Sequence, residues 1–226
     1  LDLIEGFRVE AGYAASAFVT DERRGTVHHE SPLLLITDTK VDSVDQILPA
    51  LELISRDGRP LIIVAEEIEG QALAALVMNT ARGTLKIAAV KAPFYGERRR
   101  NILSDLALSV GAEFFSRESA TALRDIKLEH FGQCRSIEIS KGTTTVIGGR
   151  GSVEDIDSRI ELLKAEMTAT DDLRECDKIQ ERITKLASGV AVIRVGAPTE
   201  VEMIEKKHRI EDALEAVKSA QDEGIV

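Results

Sequence analysis

The 226 residues are 43% hydrophobic and 30% charged, and 29 Lys and Arg stand against 39 Asp and Glu for a net charge of −10. That composition is globular rather than disordered, and its acidic balance argues against a nucleic-acid backbone as partner, because phosphate binding depends on surplus cations. The two cysteines, Cys134 and Cys176, are far apart without metal-ligand spacing, which fits a reducing compartment with no disulfide framework; no apolar run reaches the roughly 18 residues of a membrane span.

The chain opens on LDLIEGFRVEAGY, which has neither the basic start nor the cleavage site of a signal peptide. It lacks an initiator Met, and it stops on DEGIV. Both ends are what is expected of a fragment. Strands and helices then alternate. PLLLITD (32–38) is a short apolar run, predicted as a buried strand. DSVDQILPALELISRDG (42–58) has helical periodicity, with Ser43 as N-cap and Gly58 at the usual stopping place. Pro49 falls inside it and is expected to kink it or to leave a backbone hydrogen bond unmade. PLIIVAE (60–66) is a strand, GQALAALVMNTARG (70–83) a helix, LKIAAVKA (85–92) a strand, GERRRNILSDLALSVGA (96–112) a helix and EFFS (113–116) a strand. Units at this spacing imply an α/β fold with parallel strands and helices on the sheet faces.

The pattern then changes. CRSIEISKGTTTVIGG (134–149) reads as a hairpin turning at Lys141-Gly142. Two charged helices follow, from Ser152 to about Thr168 and from Asp171 to about Ala187, and then an apolar strand, GVAVIRVG (189–196). The last helix starts at Thr199, which with Glu202 makes a capping box, and runs to Gly224 with Val201, Ile204, Leu214 and Val217 on one stripe. A domain boundary is expected near Gly189, matched by Gly6 where the chain would enter.

Several patterns carry possible chemistry. TTTVIGGRGSVEDI (143–156) has the order strand, Gly-rich loop, helix; such a loop either cradles phosphate on helix amides or is a flexible connection. Neither GxxxxGK[ST] nor GxGxxG is present. APFYGERRRNIL sets aromatics beside Arg98, Arg99 and Arg100, which suits either a stacked nucleotide or a salt-bridged patch. His28 and His29 precede Glu30, but neighbouring strand side chains point to opposite faces, so the three do not make one metal site. Glu211-Asp212 offers a general base or a solvated helix face.

The strongest signal is an apolar surplus. Ala72 to Met78 are all apolar, so at 100° per residue they surround the helix. In 42–58, Val44, Ile47, Leu48 and Leu51 form one stripe, and Ala50, Leu53 and Ile54 extend it to another side. Two helices packed together over the sheet, each using a second face against the other, account for most of this excess; the alternative is a groove between them, left open for a partner's apolar segment.

The residues that carry this surplus belong to a longer match. SPLLLITDTKV, GRPLIIVAEEIEGQALAALVMNTARG, LKIAAVKAP with GERRR, ISKGTTTVI, KIQERITKLASGVAVIRVGAPTEVEMIEKKHRIEDAL and DEGIV resemble group I chaperonins of the GroEL type in order and spacing, from about Glu5 to Val226. The resemblance implies an apical domain over 5–189 with a β-sheet core flanked by helices. It implies that 190–226 is the descending part of an intermediate domain carrying a long C-terminal helix. The equatorial ATP-binding domain would lie outside this chain, leaving the chain itself without cofactor and the parent with ATP and Mg.

By the same resemblance, the parent is a homo-oligomeric double ring in the cytoplasm or an organellar matrix or stroma. Its apical groove binds non-native polypeptides and a co-chaperonin cap, with no nucleic acid or membrane as partner. The matching groove residues are Tyr13, Ala15, Ala17, Phe18, Leu48, Leu51, Leu73, Val77, Met78 and Asn79. Asp212 matches the aspartate that positions water for ATP hydrolysis once the missing domain supplies nucleotide and metal. Gly6, Gly189 and Gly224 fall at the family's hinges. The sequence also departs from the pattern: AGYAASAF replaces RGY(L/I)SPYF, and APFYG replaces APGFG. The first removes apolar area at Ala17 and, at Ala11, a basic residue expected to pair with the counterpart of Glu200 in a neighbouring subunit. The second puts the bulky Phe94 and Tyr95 in a flexible loop.

Overall fold

The computed structural model describes residues 2–117, 123–187, 189–193 and 195–224. By contact, the chain divides into one unit of residues 4–190 and a second of 1–3 with 191–226. The expected boundaries were Gly6 and Gly189.

Strands β1 (Asp2–Val9) and β2 (Val27–Glu30) come first and lack a strong apolar run. β2 buries alternate residues, so His29 is sealed while His28 is exposed, as strand alternation requires. Burial lowers the His29 imidazole to about 4. β3 (Leu33–Thr37) is buried at all five positions, which suits a strand covered on both faces. The short β4 (Lys40–Val41) leads to α1 (Val44–Asp57). The Ser43 hydroxyl accepts from the Asp45 amide, and Gln46 Oε1 accepts from the Ser43 amide at 3.1 Å. Gly58 ends α1 in the left-handed region. The helix runs through Pro49 as one element.

β5 (Leu61–Ala65), again fully buried, is followed by β6 (Glu67–Ile68), α2 (Gly70–Ala81), β7 (Ile87–Lys91), α3 (Gly96–Val110) and β8 (Phe114–Phe115). β9 (Gly132–Ile139) and β10 (Thr144–Gly149) form the expected hairpin, with Thr144 opposite Ile139. α4 (Val153–Ala169) and α5 (Leu173–Ala187) follow, then β11 (Gly189–Val192) and α6 (Glu200–Glu223). The Thr199 hydroxyl accepts from the Glu202 amide at the start of α6.

The sheet is mixed, in the order β11-β1-β10-β9-β3-β5-β7, with β2 also on β9 and β8 also on β3. β8, β3, β5 and β7 are parallel neighbours, and β9 meets β3 antiparallel. The crossovers from β3 to β5 and from β5 to β7 step one way, and that from β7 to β8 returns past β3. Right-handed connections then put α1 and α2 on one face and α3 on the other. The contacts divide accordingly: α1 lies on α2, and α3 carries α4 and α5.

Candidate functional site

Ala11, Gly12, Tyr13 and Ala14 run beside the outer edge of the sheet. Tyr13 bridges Val90 of β7, and the Ala14 amide donates to Ala89 O at 2.7 Å. A 3-10 turn at Ser16–Phe18 then rests against α2, which also meets α1. The three segments selected from the sequence are therefore adjacent, with α2 in the middle.

Their side chains divide into floor and surface. α1 buries Ile47, Ala50, Leu51 and Ile54, while Leu48 is 44% exposed. α2 buries only Ala72 and Leu76; Leu73 and Val77 are half-buried against the core, and Met78 is 50% exposed. Asn79 Nδ2 donates to Ala75 O at 2.8 Å, so this polar side chain is turned back onto its own helix. Tyr13 and Ala15 are half-buried and Ala17 is exposed. Two of the expected contact residues are sealed: Phe18 is 1% and Leu51 7% exposed. Both serve as floor, Phe18 by pinning the 3-10 turn and Leu51 by seating α1, so neither is presented to a ligand. Ala11 is also buried, and its carbonyl accepts from Thr144 Oγ1 at 2.6 Å.

The acids ahead of α2 are paired rather than free. Lys91 donates to Glu67 at 2.8 Å and holds that carboxyl below the ordinary range. Glu66 takes Arg99 and Arg117 on its two oxygens, and Glu69 takes Lys40. The basic run is resolved in the same way. Arg98 pairs with Glu181 at 2.9 Å and Arg100 with Asp38 at 3.2 Å, so all three arginines are held by the chain's own carboxylates. Arg98 also lies over the Phe94 ring, 3.7 Å from its centroid.

The Gly-rich loop fits neither expectation made for it. A Cβ on Gly149 would lie 2.2 Å from Ser109 O, and one on Gly151 would lie 2.1 Å from Leu108 O. The Arg150 and Gly151 amides already donate to Gln133 O and Ser109 O. These glycines let the loop press against the last turn of α3. There it meets carbonyl oxygens, which repel phosphate, and it is fixed rather than flexible. A phosphate cradle at 148–152, and with it the alternative of a small-ligand α/β enzyme, would lack the amides of Arg150 and Gly151, which are already engaged.

The remaining candidates lie elsewhere. Asp212 is exposed on α6; Gly6 is paired with Ile147 inside β1, Gly189 begins β11, and Gly224 follows α6 with φ 85°. Among the described residues no group of three or more His, Cys, Asp or Glu side chains could hold a metal ion. No helix of the described residues is long and apolar enough to cross a membrane. With this geometry in place, comparison with known families matches residues 36–226 to the model of the TCP-1/cpn60 chaperonin family.

Proposed function

This chain belongs to the TCP-1/cpn60 chaperonin family and is a chaperone by that membership, and from that premise we propose that the α1–α2 surface holds apolar segments of non-native polypeptides. The observation that carries the proposal is the exposure of Leu48 and Met78 on two adjoining helices whose neighbours Leu73 and Val77 are only half-covered. A soluble chain that needed α2 only for its own core would not leave this strip uncovered.

The energetics point to an oligomer. Fully burying a Leu- or Val-sized side chain yields roughly 1.5–3 kcal/mol, so four anchors give roughly 6–12 kcal/mol gross. Association and ordering cost about 4–15 kcal/mol. One such surface binds weakly and with little specificity, and several presented in a ring bind tightly through effective concentration. In this reading the chain is the apical part of a group I subunit. A co-chaperonin cap competes for the same strip, and ATP and magnesium belong to a domain outside this chain. Asp212 is the one residue here assigned to serve them, and Gly6, Gly189 and Gly224 are the assigned hinges.

The test is the affinity for a fluorescent amphipathic peptide, measured by anisotropy. Leu48→Glu and Met78→Glu are each expected to weaken binding at least about tenfold, since each buries a charge in place of an apolar contact. The melting temperature should stay within a few degrees of the parent, because both positions are exposed. Unchanged binding in both variants would sink the assignment of this surface.

A further inference from the structure

The two ends of residues 4–190 are packed differently. The main core is one cluster from Phe7 to Val146, drawn from the sheet and from α1, α2 and α3. The α4–α5 hairpin closes on a separate small core of Leu163, Ile179 and Ile183, flanked by Ile160 and Met167. Leu186 is the side chain that packs against both. The hairpin thus satisfies its apolar stripes internally and uses little of them against α3.

What joins it to α3 is a set of directional polar bonds. Asp105 of α3 is 1% exposed, and Arg182 of α5 grips it with two bonds, Nε to Oδ2 at 2.7 Å and Nη2 to Oδ1 at 3.0 Å. Arg159 of α4 approaches the same carboxylate at 3.4 Å and donates to Ser104 Oγ at 2.9 Å. Arg98 adds Glu181, which also takes Lys185. The latch is flanked by two clefts. One, of about 130 Å³, has Ile102 and Ile179 among charged side chains such as Glu97, Glu175 and Lys178, and the other, an open groove of about 360 Å³, is lined by Ala107, Leu108 and Leu162 with Asp155 and Arg159.

We infer that the α4–α5 hairpin is a lid that opens on α3 as an intact unit, with the Asp105 carboxylate as its latch. Interfaces made of interlocked side chains resist partial opening, whereas one made of a few directional bonds beside open clefts opens when those bonds break. Opening uncovers Ile102 and Ala107 at the edge of the main core, together with Leu108, and leaves the Leu163–Ile179–Ile183 cluster closed. This device stands apart from the α1–α2 surface, which lies on the other helical face.

Thiol labelling tests it, with native Cys134 as the internal reference: Cys134 is 3% exposed in β9 and belongs to the main core. In a Cys176→Ser background, Ala107→Cys puts a second thiol where α3 faces α4. A maleimide is expected to modify position 107 at least about tenfold faster than Cys134 below the unfolding transition. Asp105→Asn should raise that rate at least about tenfold further, while the rate at position 107 stays much less dependent on urea than the rate at Cys134. Should Asp105→Asn fail to fold, Arg159→Gln removes the longer of the ion pairs to Asp105 and is expected to raise it about threefold. A common rate and a common urea dependence for both thiols would overturn the lid, as would latch variants that left the rate at position 107 unmoved.

Discussion

The two helical faces of the sheet are held by different forces. On one, α1 and α2 are seated by apolar residues such as Ile47, Ile54, Ala72 and Leu76, and among the described residues no ion pair joins one helix to the other. On the other, α3 receives α4 and α5 through a buried carboxylate and three arginines, Arg98, Arg159 and Arg182. Apolar contact is tolerant of substitution and leaves a surface that accepts many shapes; a buried ion pair is costly to lose in part, because the partner left behind is an uncompensated charge. The chain therefore presents one face that tolerates substitution and one that depends on a few specific side chains.

The sharpest way to expose the difference is Asp105→Ala. It strips a bidentate partner from Arg182 and leaves that cation in a site that is only 11% exposed. The expected cost is about 3–5 kcal/mol, read by urea unfolding, because an uncompensated buried charge is left behind. A cost below about 1 kcal/mol would mean that the ionic face is as forgiving as the apolar one. Next in size is Gly151→Ala, which forces a methyl onto Leu108 O at the point where the chain enters α4. Overpacking against backbone costs about 1–3 kcal/mol. The loss should appear as a lower urea midpoint with the peptide affinity of the α1–α2 surface unchanged, since the damage is on the far face.

How much of this was legible in the sequence follows the same division. The apolar face could be read from local pattern: unbroken apolar runs marked β3 and β5, and Ser43 and Gly58 marked the ends of α1. The surplus in Ala72 to Met78 marked α2 as facing more than a core. What pattern could not decide was depth, because Phe18 and Leu51 are sealed by neighbours that come together only in three dimensions. β1 and β2 went unread because they find their partners, β10 and β9, more than a hundred residues away. The ionic face was unreadable for the same reason. Asp105 is one more acid in SDLALS, and its partner Arg182 is 77 residues downstream in a helix with many charges. The glycines at 149 and 151 were visible, but the close approach of α3 that requires them was not.

The smallest expected effect tests where the two faces are coupled. Phe94 sits in the loop between β7 and α3 with φ 61°, a region that disfavours side chains and is easy for glycine. It is held there by packing against the core and by Arg98, which continues to Glu181 on α5. Left-handed backbone costs a non-glycine residue about 1–2 kcal/mol, and a cation over a ring returns about 0.5–1 kcal/mol. Phe94→Ala removes the ring and keeps the strain, whereas Phe94→Gly removes both. At most positions glycine is the less stable of such a pair, because its unfolded chain is freer. Here the order should invert, with Phe94→Gly more stable than Phe94→Ala by about 1 kcal/mol in urea unfolding. If alanine proves the better residue, the loop relaxes without cost once the ring is gone. The strain would then belong to the Phe94–Arg98 stack rather than to the path of the chain from β7 into α3.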